Sequence, residues 1–381
     1  MLFVVALDPV FIDPLEPMSV FVAIAVLLSL VFVHELGHFL AARLQGIYAT
    51  KFAIGFGPII WRYQGSQTEY SIRAIPLGGF VGFPDDDPDS EIDPNDPNLL
   101  NNRPLADRAI VISAGVIANL VFAYAILVTQ YVGLGIPDSF AYDPGVAVPQ
   151  VLASDNPAGK AGIRAGDVIV AVDGTTLGAD DASLDLLMEQ IRGSSNQSLP
   201  LTLQRGDRSL EVMVTPEPDA DGVGRIGVQL APNGKVVYRR SLNPVEVFGK
   251  AADQFQSMVF QIVGGFIALA SNFQETASQV SGPVKIVEWG ANIAESQAAQ
   301  LLPFVALISI NLAVVNILPL PALDGGQLFF LIIEALRGKP LPQRLQESVM
   351  QTGLVLLLGL GVVLIVRDTT QLEWVQNLFQ Q

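Results

Sequence analysis

The chain has no cysteine. Disulfide frameworks and thiolate metal sites are therefore excluded, and any metal must be held by imidazole, carboxylate or carbonyl groups. Histidine is nearly absent too, being limited to His34 and His38. Charge is scarce, at 15% of 381 residues, and the basic sign is the scarcer one, 21 residues against 37 acidic. The resulting net charge of −16 argues against a nucleic-acid partner, because a phosphate backbone is gripped by clustered Lys and Arg. Residues 1–17 hold no Lys or Arg, and no small-residue cleavage pattern follows the first apolar run. A membrane anchor is expected there rather than a cleavable signal peptide. Half of the chain is hydrophobic and the mean hydropathy is +0.45, the balance of a membrane protein with polar insertions.

Four runs are long and apolar enough to cross a hydrocarbon core of about 30 Å. They cover about 18–40, 109–131, 301–320 with a continuation over 325–336 past a break, and 349–366. The stretch 255–270 is apolar but short, interrupted by Gln261 and Gly264-Gly265, and reads as an interfacial or packed helix. Lys51, Arg62, Arg73, Arg103 and Arg108 lie between the first two runs, and Arg337, Lys339 and Arg344 between the last two. By the excess of basic residues on the inner side, both loops are expected in the cytoplasm. The N-terminal tail, residues 140–232 and the C-terminus are then expected outside, in a multi-pass protein of a bacterial inner (plasma) membrane.

Inside the first run stands His34-Glu35-Leu36-Gly37-His38, an H-E-x-x-H pattern. Residues at i and i+4 share a helix face, so His34 and His38 can bind one metal ion through neutral imidazoles. Glu35 is then placed to take a proton from a water at the metal. A carboxylate at membrane depth costs roughly 2.5 kcal/mol or more, which marks it as functional. In the third run, Asn316-Ile317-Leu318-Pro319-Leu320-Pro321-Ala322-Leu323-Asp324-Gly325-Gly326 breaks the helix, and such a break must be covered by protein or line a cavity. Asp324 is the natural third ligand; the alternative is that it only caps the helix restarting at Gly325. The second run carries Gly115-Val116-Ile117-Ala118-Asn119, which suits close helix packing or a role near the metal.

Two polar insertions remain. Residues 50–83 read as short strands punctuated by Gly and Pro, a β-hairpin or small sheet, followed by a Pro-, Asp- and Asn-rich run over 84–107 that reads as a mobile solvated linker. Residues 140–232 read as a β-rich domain: a short helix, a Gly turn, an alternating strand and an Asp173-Gly174 turn, a helix over 184–191, then strands over 199–204 and 210–214. The pattern Ala161-Gly162-Ile163-x-x-Gly166-Asp167-Val168-Ile169 resembles that of a PDZ domain, a fold that binds extended peptides by strand addition. Its peptide loop is sought near Gly145-Val146-Ala147.

Taken together, His34 to His38, Gly55 to Pro58, Pro76 to Gly79, Gly115 to Asn119, the PDZ-like run, Ser281-Gly282-Pro283 and Asn316 to Gly326 resemble the site-2 protease family of intramembrane zinc metalloproteases, in the bacterial regulator-of-sigma-E protease branch. The resemblance covers nearly the whole chain, although the better-known bacterial members carry two tandem PDZ domains and this chain has room for one. It implies one zinc ion on His34, His38 and Asp324, with Glu35 as catalytic base. It also implies that the hairpin at 70–81 pairs with an unwound substrate segment. It implies that Asn316 contacts that segment, and Gly78, Gly79, Phe80 and Asn119 are expected to touch substrate with it.

The expected fold is a polytopic α-helical membrane protein of four transmembrane helices, with a membrane-associated β-hairpin on the cytoplasmic side and an inserted extracytoplasmic PDZ domain. Its expected divisions are 1–48 with the H-E-x-x-H helix, 49–108 with hairpin and linker, 109–133, the PDZ domain at 140–232, an amphipathic region at 233–300, the broken third span at 301–336, and 337–381. The expected partners are single-span membrane-protein substrates such as anti-sigma factors or remnant signal peptides, membrane lipids, and a peptide ligand of the PDZ domain. The alternative from another class is a non-proteolytic membrane-anchored PDZ binding module. A metal transporter is a weaker alternative, since no internal inverted repeat is visible.

Overall fold

Long apolar runs emerge as helices, and the two polar insertions carry most of the strands. The computed structural model describes residues 4–5, 17–87, 90–152, 156–219, 222–273, 280–296 and 298–371. The expected tails at either end lie largely outside the described residues. The chain begins with β1 (Val4–Val5), α1 (Pro17–Leu44), β2 (Lys51–Gln64), β3 (Glu69–Gly82) and α2 (Leu105–Gly133). There follow β4 (Ile136–Val151), α3 (Pro157–Lys160), β5 (Val168–Val172), β6 (Thr175–Thr176), α4 (Ala182–Gly193), β7 (Leu199–Arg205), β8 (Arg208–Val214), β9 (Glu217–Pro218), β10 (Gly224–Arg225) and β11 (Val228–Arg239). The last part holds α5 (Pro244–Ser271), β12 (Val280–Ser281), α6 (Pro283–Ser296), α7 (Leu301–Ile317), α8 (Asp324–Arg337) and α9 (Gln343–Gln371). Two compact units result: one from Leu134–Leu242, the other from the helices before and after it.

Among the described residues, four helices are long and apolar enough to cross a membrane: α1, α2, α5 and α9. This set differs from the expected one. The expected third span is here α7, only 17 residues long. It stops at Ile317 because Pro319 and Pro321 follow, and proline withholds the amide hydrogen a helix needs. What α7 lacks in length it has in enclosure. Phe304, Val305, Ile308 and Leu312 pack with Leu30 of α1 and with Ile286 and Trp289 of α6. The stretch 255–270, in turn, is the second half of the 28-residue α5. Gln261 and Gly264 interrupt its apolar run but not its helix, and the helix starts earlier, where Asn243 Oδ1 accepts the Val245 N–H at 3.1 Å.

The expected simple hairpin is a more folded ribbon. Both strands bend, β2 at Gly55 (φ +88°) and β3 at Gly78 (φ +96°), conformations closed to most side chains. Residues 51–54 consequently face two stretches of β3, residues 69–72 running the same way and residues 82–79 running the opposite way. Beyond the bend, Tyr63 faces Tyr70 and Gln64 faces Glu69. Ile60, Trp61 and Tyr63 are left exposed on this ribbon. Nor is the acidic run after it a structureless linker. Asp85 accepts the Leu100 and Asn101 amides at 3.0 and 2.9 Å, Asp87 pairs with Lys51 at 2.8 Å, and Asp93 and Asp96 each close an Asx turn two residues on. A run too polar to bury apolar surface is ordered here by side-chain to backbone bonds.

The Leu134–Leu242 unit is a sheet in the order β11-β4-β5-β7-β8, with β6 pairing β5. It extends past the expected 140–232 because β4 and β11 continue as a paired ribbon out to Ile136 and Arg239. Its core is the alternating set the sequence suggests: Val146, Val148, Ile169, Val172, Leu199, Leu201, Leu203 and Val214, closed by Leu187 and Ile191 of α4. Asp167 is buried, accepts the Arg164 amide at 2.8 Å and pairs with Arg205 at 2.7 Å, so its charge is compensated.

Candidate metal centre

Three side chains converge where α1, α2 and α8 meet. His34 Nε2 lies 3.3 Å from His38 Nε2, and Asp324 Oδ2 lies 3.3 and 3.4 Å from the two imidazole nitrogens. Four ligands placed tetrahedrally about 2.0–2.1 Å from a zinc ion stand roughly 3.3–3.4 Å apart, the edge of that tetrahedron. The three atoms thus form one face of a zinc-sized site, with a fourth corner left for water or substrate. Their chemistry agrees. His38 Nδ1 lies 2.8 Å from the Val111 carbonyl oxygen, which can only accept, so Nδ1 carries the proton and Nε2 offers a lone pair. Lone pairs and a carboxylate oxygen facing one another at this range repel unless a cation joins them. Asp324 Oδ2 is indeed buried without a hydrogen bond.

Asp324 reaches this point because α7 is broken. After Ile317 the chain turns through residues 318–323, with Ala322 at φ +70°, a left-handed conformation that costs an L-residue about 1 kcal/mol or more. Leu323 is the N-cap of α8 and Asp324 its first residue, and no side chain caps this helix end. The capping alternative for Asp324 is therefore not what the structure displays; the carboxylate is turned to the imidazoles instead.

α2 is the frame on which the site is mounted. Arg108, Val111, Gly115 and Asn119 recur every three or four residues and share one face. Val111 holds His38. Gly115 makes room, since a Cβ there would overlap His38 Nε2 and come within 2.8 Å of His34 Cε1. Asn119 Nδ2 lies 3.2 Å from His34 Nδ1. Arg108 donates from one guanidinium nitrogen to both carboxylate oxygens of Glu334 of α8, at 3.0 and 3.1 Å, tying the aspartate-bearing helix to the same frame. The helices approach closely because Gly37 of α1 faces Ala114 and Ala118; a Cβ on Gly37 would stand 2.7 Å from that of Ala118.

Glu35 is buried at 9% exposure, close to β3. The strand can come this near because of Gly79, where a Cβ would lie 2.9 Å from Glu35 Cγ and 2.7 Å from the Ala53 carbonyl oxygen. Asn316 Nδ2 lies 3.3 Å from His34 Nε2, at the rim of the ligand triangle. Phe80 is stacked on Phe56, ring centres 6.5 Å apart, and Arg73 lies over its ring. A Cβ on Gly78 would stand 2.7 Å from the same Phe56 ring. Asn119, expected to touch substrate, has no exposed surface, and its side chain faces the His34 ring. Gly115 stands where one of its two expected roles, a place near the metal, puts it, whereas Val111 and Arg108 were not singled out by the sequence. The four-residue spacing from Val111 to Asn119 was the signal, but a backbone carbonyl leaves no mark in a sequence.

In the Leu134–Leu242 unit a cleft of about 200 Å³ runs beside α4, lined by Met188, Ile191, Arg192, Ile226, Val228 and Leu230 among others. It lies away from Gly145-Val146-Ala147. That segment is built into the sheet, where Val146 pairs with Ile169.

The model of peptidase family M50 matches residues 22–360. A Nostoc sp. protein named as a zinc metalloprotease is 59% identical over 370 residues, 95% of this chain and 100% of that protein. A Synechocystis sp. protein of the same description is 57% identical, over 93% of this chain and 95% of that one. A chloroplastic membrane metalloprotease of Arabidopsis thaliana is 47% identical over 94% of this chain and 80% of its own length. Among solved structures, the PDZ domain of an SdrC-like protein from Listeria monocytogenes aligns with 23% of this chain and 88% of its own, at 22% identity and a TM-score of 0.20. With one family matched along nearly its whole length and metalloproteases as its near relatives, the chain belongs to peptidase family M50 and is a zinc-dependent metalloprotease of the membrane.

Proposed function

We propose that this metalloprotease cuts peptide bonds within the membrane-spanning segments of single-span proteins, with His34, His38 and Asp324 as its zinc ligands and Glu35 as its general base. The observation that carries this reading is the convergence of Asp324 of α8 on His34 and His38 of α1, a helix long and apolar enough to cross a bilayer. When bound, zinc supplies a Lewis acid and lowers the pKa of a water to about 7. Glu35 takes up the proton of the attacking water and passes it to the leaving amine. Asn316, at the rim of the triangle, directs its amide N–H toward the oxygen of the scissile carbonyl. A substrate helix hides its peptide bonds in its own hydrogen bonds and must unwind first. The strand at residues 79–82, backed by residues 51–54, offers replacement backbone partners beside Glu35.

The proposed sidedness puts residues 45–104 and 338–342 in the cytoplasm and the Leu134–Leu242 unit outside, in a bacterial plasma membrane. Arg108 at the start of α2 pairs with Glu334 near the end of α8, so those two ends share a side, and Arg337 and Lys339 follow at once. At the other end, Tyr124 of α2 donates to the Phe248 carbonyl of α5, and Asp368 of α9 accepts the Lys285 amide of α6. The chain thus leaves and re-enters on one side between α2 and α7, which favours α5 on the membrane surface rather than across it. The cleft beside α4 is the proposed seat of an extended peptide in a PDZ-like domain. Anti-sigma factors and remnant signal peptides are both suitable substrates, and regulated intramembrane proteolysis is the proposed process.

The test is to incubate the purified chain in detergent with a single-span substrate and locate the cut by mass spectrometry. A cut inside the apolar segment, lost on chelation and restored by zinc, is expected. Cutting confined to the flanking polar residues would reject the intramembrane reading.

A further inference from the structure

We infer that Asn119 is a positioning residue for His34: its Oδ1 accepts the Nδ1–H of that ring and so fixes Nε2 as the metal-facing atom. The inference rests on the reading of His34, His38 and Asp324 as the zinc ligands.

The two imidazoles face the same problem. Each must carry its proton on Nδ1 if Nε2 is to offer a lone pair, and each then needs an acceptor behind it. His38 finds one in the Val111 carbonyl oxygen, 2.8 Å from Nδ1. His34 sits one turn back on α1, and the group that α2 presents there is the Asn119 side chain, 3.2 Å from Nδ1.

An Asn119 Nδ2–H donating to Nδ1 would force the proton of His34 onto Nε2. That hydrogen would then point among the ligand atoms and block them. A half-turn of the amide exchanges Oδ1 and Nδ2 with almost no change of shape. The acceptor then meets Nδ1–H, and the His34 ring is held in the tautomer the metal requires.

Asn119 is well placed to hold a ring still. Its main-chain carbonyl accepts the Ser309 hydroxyl of α7 at 2.8 Å, both residues being buried. α2 thus grips both rings one helical turn apart, one by a carbonyl of its backbone and the other by a side chain that mutation can reach.

The experiment uses the full chain in detergent. Zinc per chain, the rate of zinc loss to excess chelator and the melting of the zinc-stripped protein are measured for wild type, Asn119→Leu, Asn119→Ala, Asn119→Asp and His34→Ala. Removing such an outer hydrogen bond typically weakens metal binding about 10–100-fold. Leu and Ala at 119 are therefore expected to release zinc about 10–100-fold faster. Asp, whose carboxylate also accepts Nδ1–H, is expected to stay within a few-fold of wild type. The zinc-stripped melts of wild type and Asn119→Asp are expected to coincide. Wild-type zinc retention by Asn119→Leu and Asn119→Ala, or release from Asn119→Asp as fast as from Asn119→Leu, would overturn the inference. Full zinc in His34→Ala would instead overturn the ligand reading beneath it.

Discussion

Replacing Glu35 with Gln will slow cleavage severely while leaving zinc in place. Gln keeps the shape of Glu, so the close packing of this side chain against Gly79 of β3 survives. What it cannot do is take up a proton. A positioned general base contributes typically 10²–10⁴-fold to a rate. The expected result is a cleavage rate lowered about 10²–10⁴-fold on a single-span substrate, with zinc per chain unchanged by metal analysis. A variant that cleaves within a few-fold of wild type would remove Glu35 from the chemistry. A variant that loses its zinc would make the residue a structural support of the site instead.

Gly115→Ala is expected to be as damaging, by another route. One methyl group is a small change in most helices and even raises helix propensity. At this position the added Cβ falls on His38 Nε2, one corner of the ligand triangle, and within 2.8 Å of the His34 ring. The helices cannot ease apart cheaply, because Gly37 already holds α1 against Ala114 and Ala118, and Val111 holds His38. The imidazoles must therefore rotate out of the triangle. Misplacing catalytic groups by about 1 Å can cost about 10²-fold in rate, and overpacking costs about 1–3 kcal/mol in stability. Cleavage lowered by at least about 10²-fold, with zinc largely lost, is the expected outcome. Gly133→Ala is the control: the same helix, but nothing within 4 Å of the added methyl. Full zinc and activity in Gly115→Ala would show that α2 does not confine the imidazoles.

What the sequence made legible follows from the range of each interaction. His34 and His38 are four residues apart, so their shared face is a property of one helix turn. Asp324 lies far along the chain, yet Pro319, Pro321 and Gly325 announce a break, and an acid at a break within an apolar run has few other uses. The role of α2 was legible only in part: Gly115 to Asn119 suited a place near the metal, but which groups meet the rings was not. Val111 and Asn119 stand 73 and 85 residues from the rings they support, and one of them acts through its backbone. Asn119 drew notice as a polar residue in an apolar run but was read as facing substrate. The doubled register of β2 and β3 was hidden as well, because alternation marks a strand but not which strand it meets. The acidic run failed for a related reason: composition predicted solvation, while its order comes from particular pairs such as Asp85 with the Leu100 and Asn101 amides.

The most direct measurement is X-ray absorption at the zinc edge of the purified chain, with Asp324→Ala alongside. A four-coordinate shell of nitrogen and oxygen atoms at about 2.0–2.1 Å, including the multiple-scattering signature of two imidazoles, is predicted for the wild type. Asp324→Ala is predicted to lose an oxygen ligand or the metal itself. A six-coordinate oxygen shell without imidazole, or a spectrum unchanged by Asp324→Ala, would contradict a zinc site shared between α1 and α8.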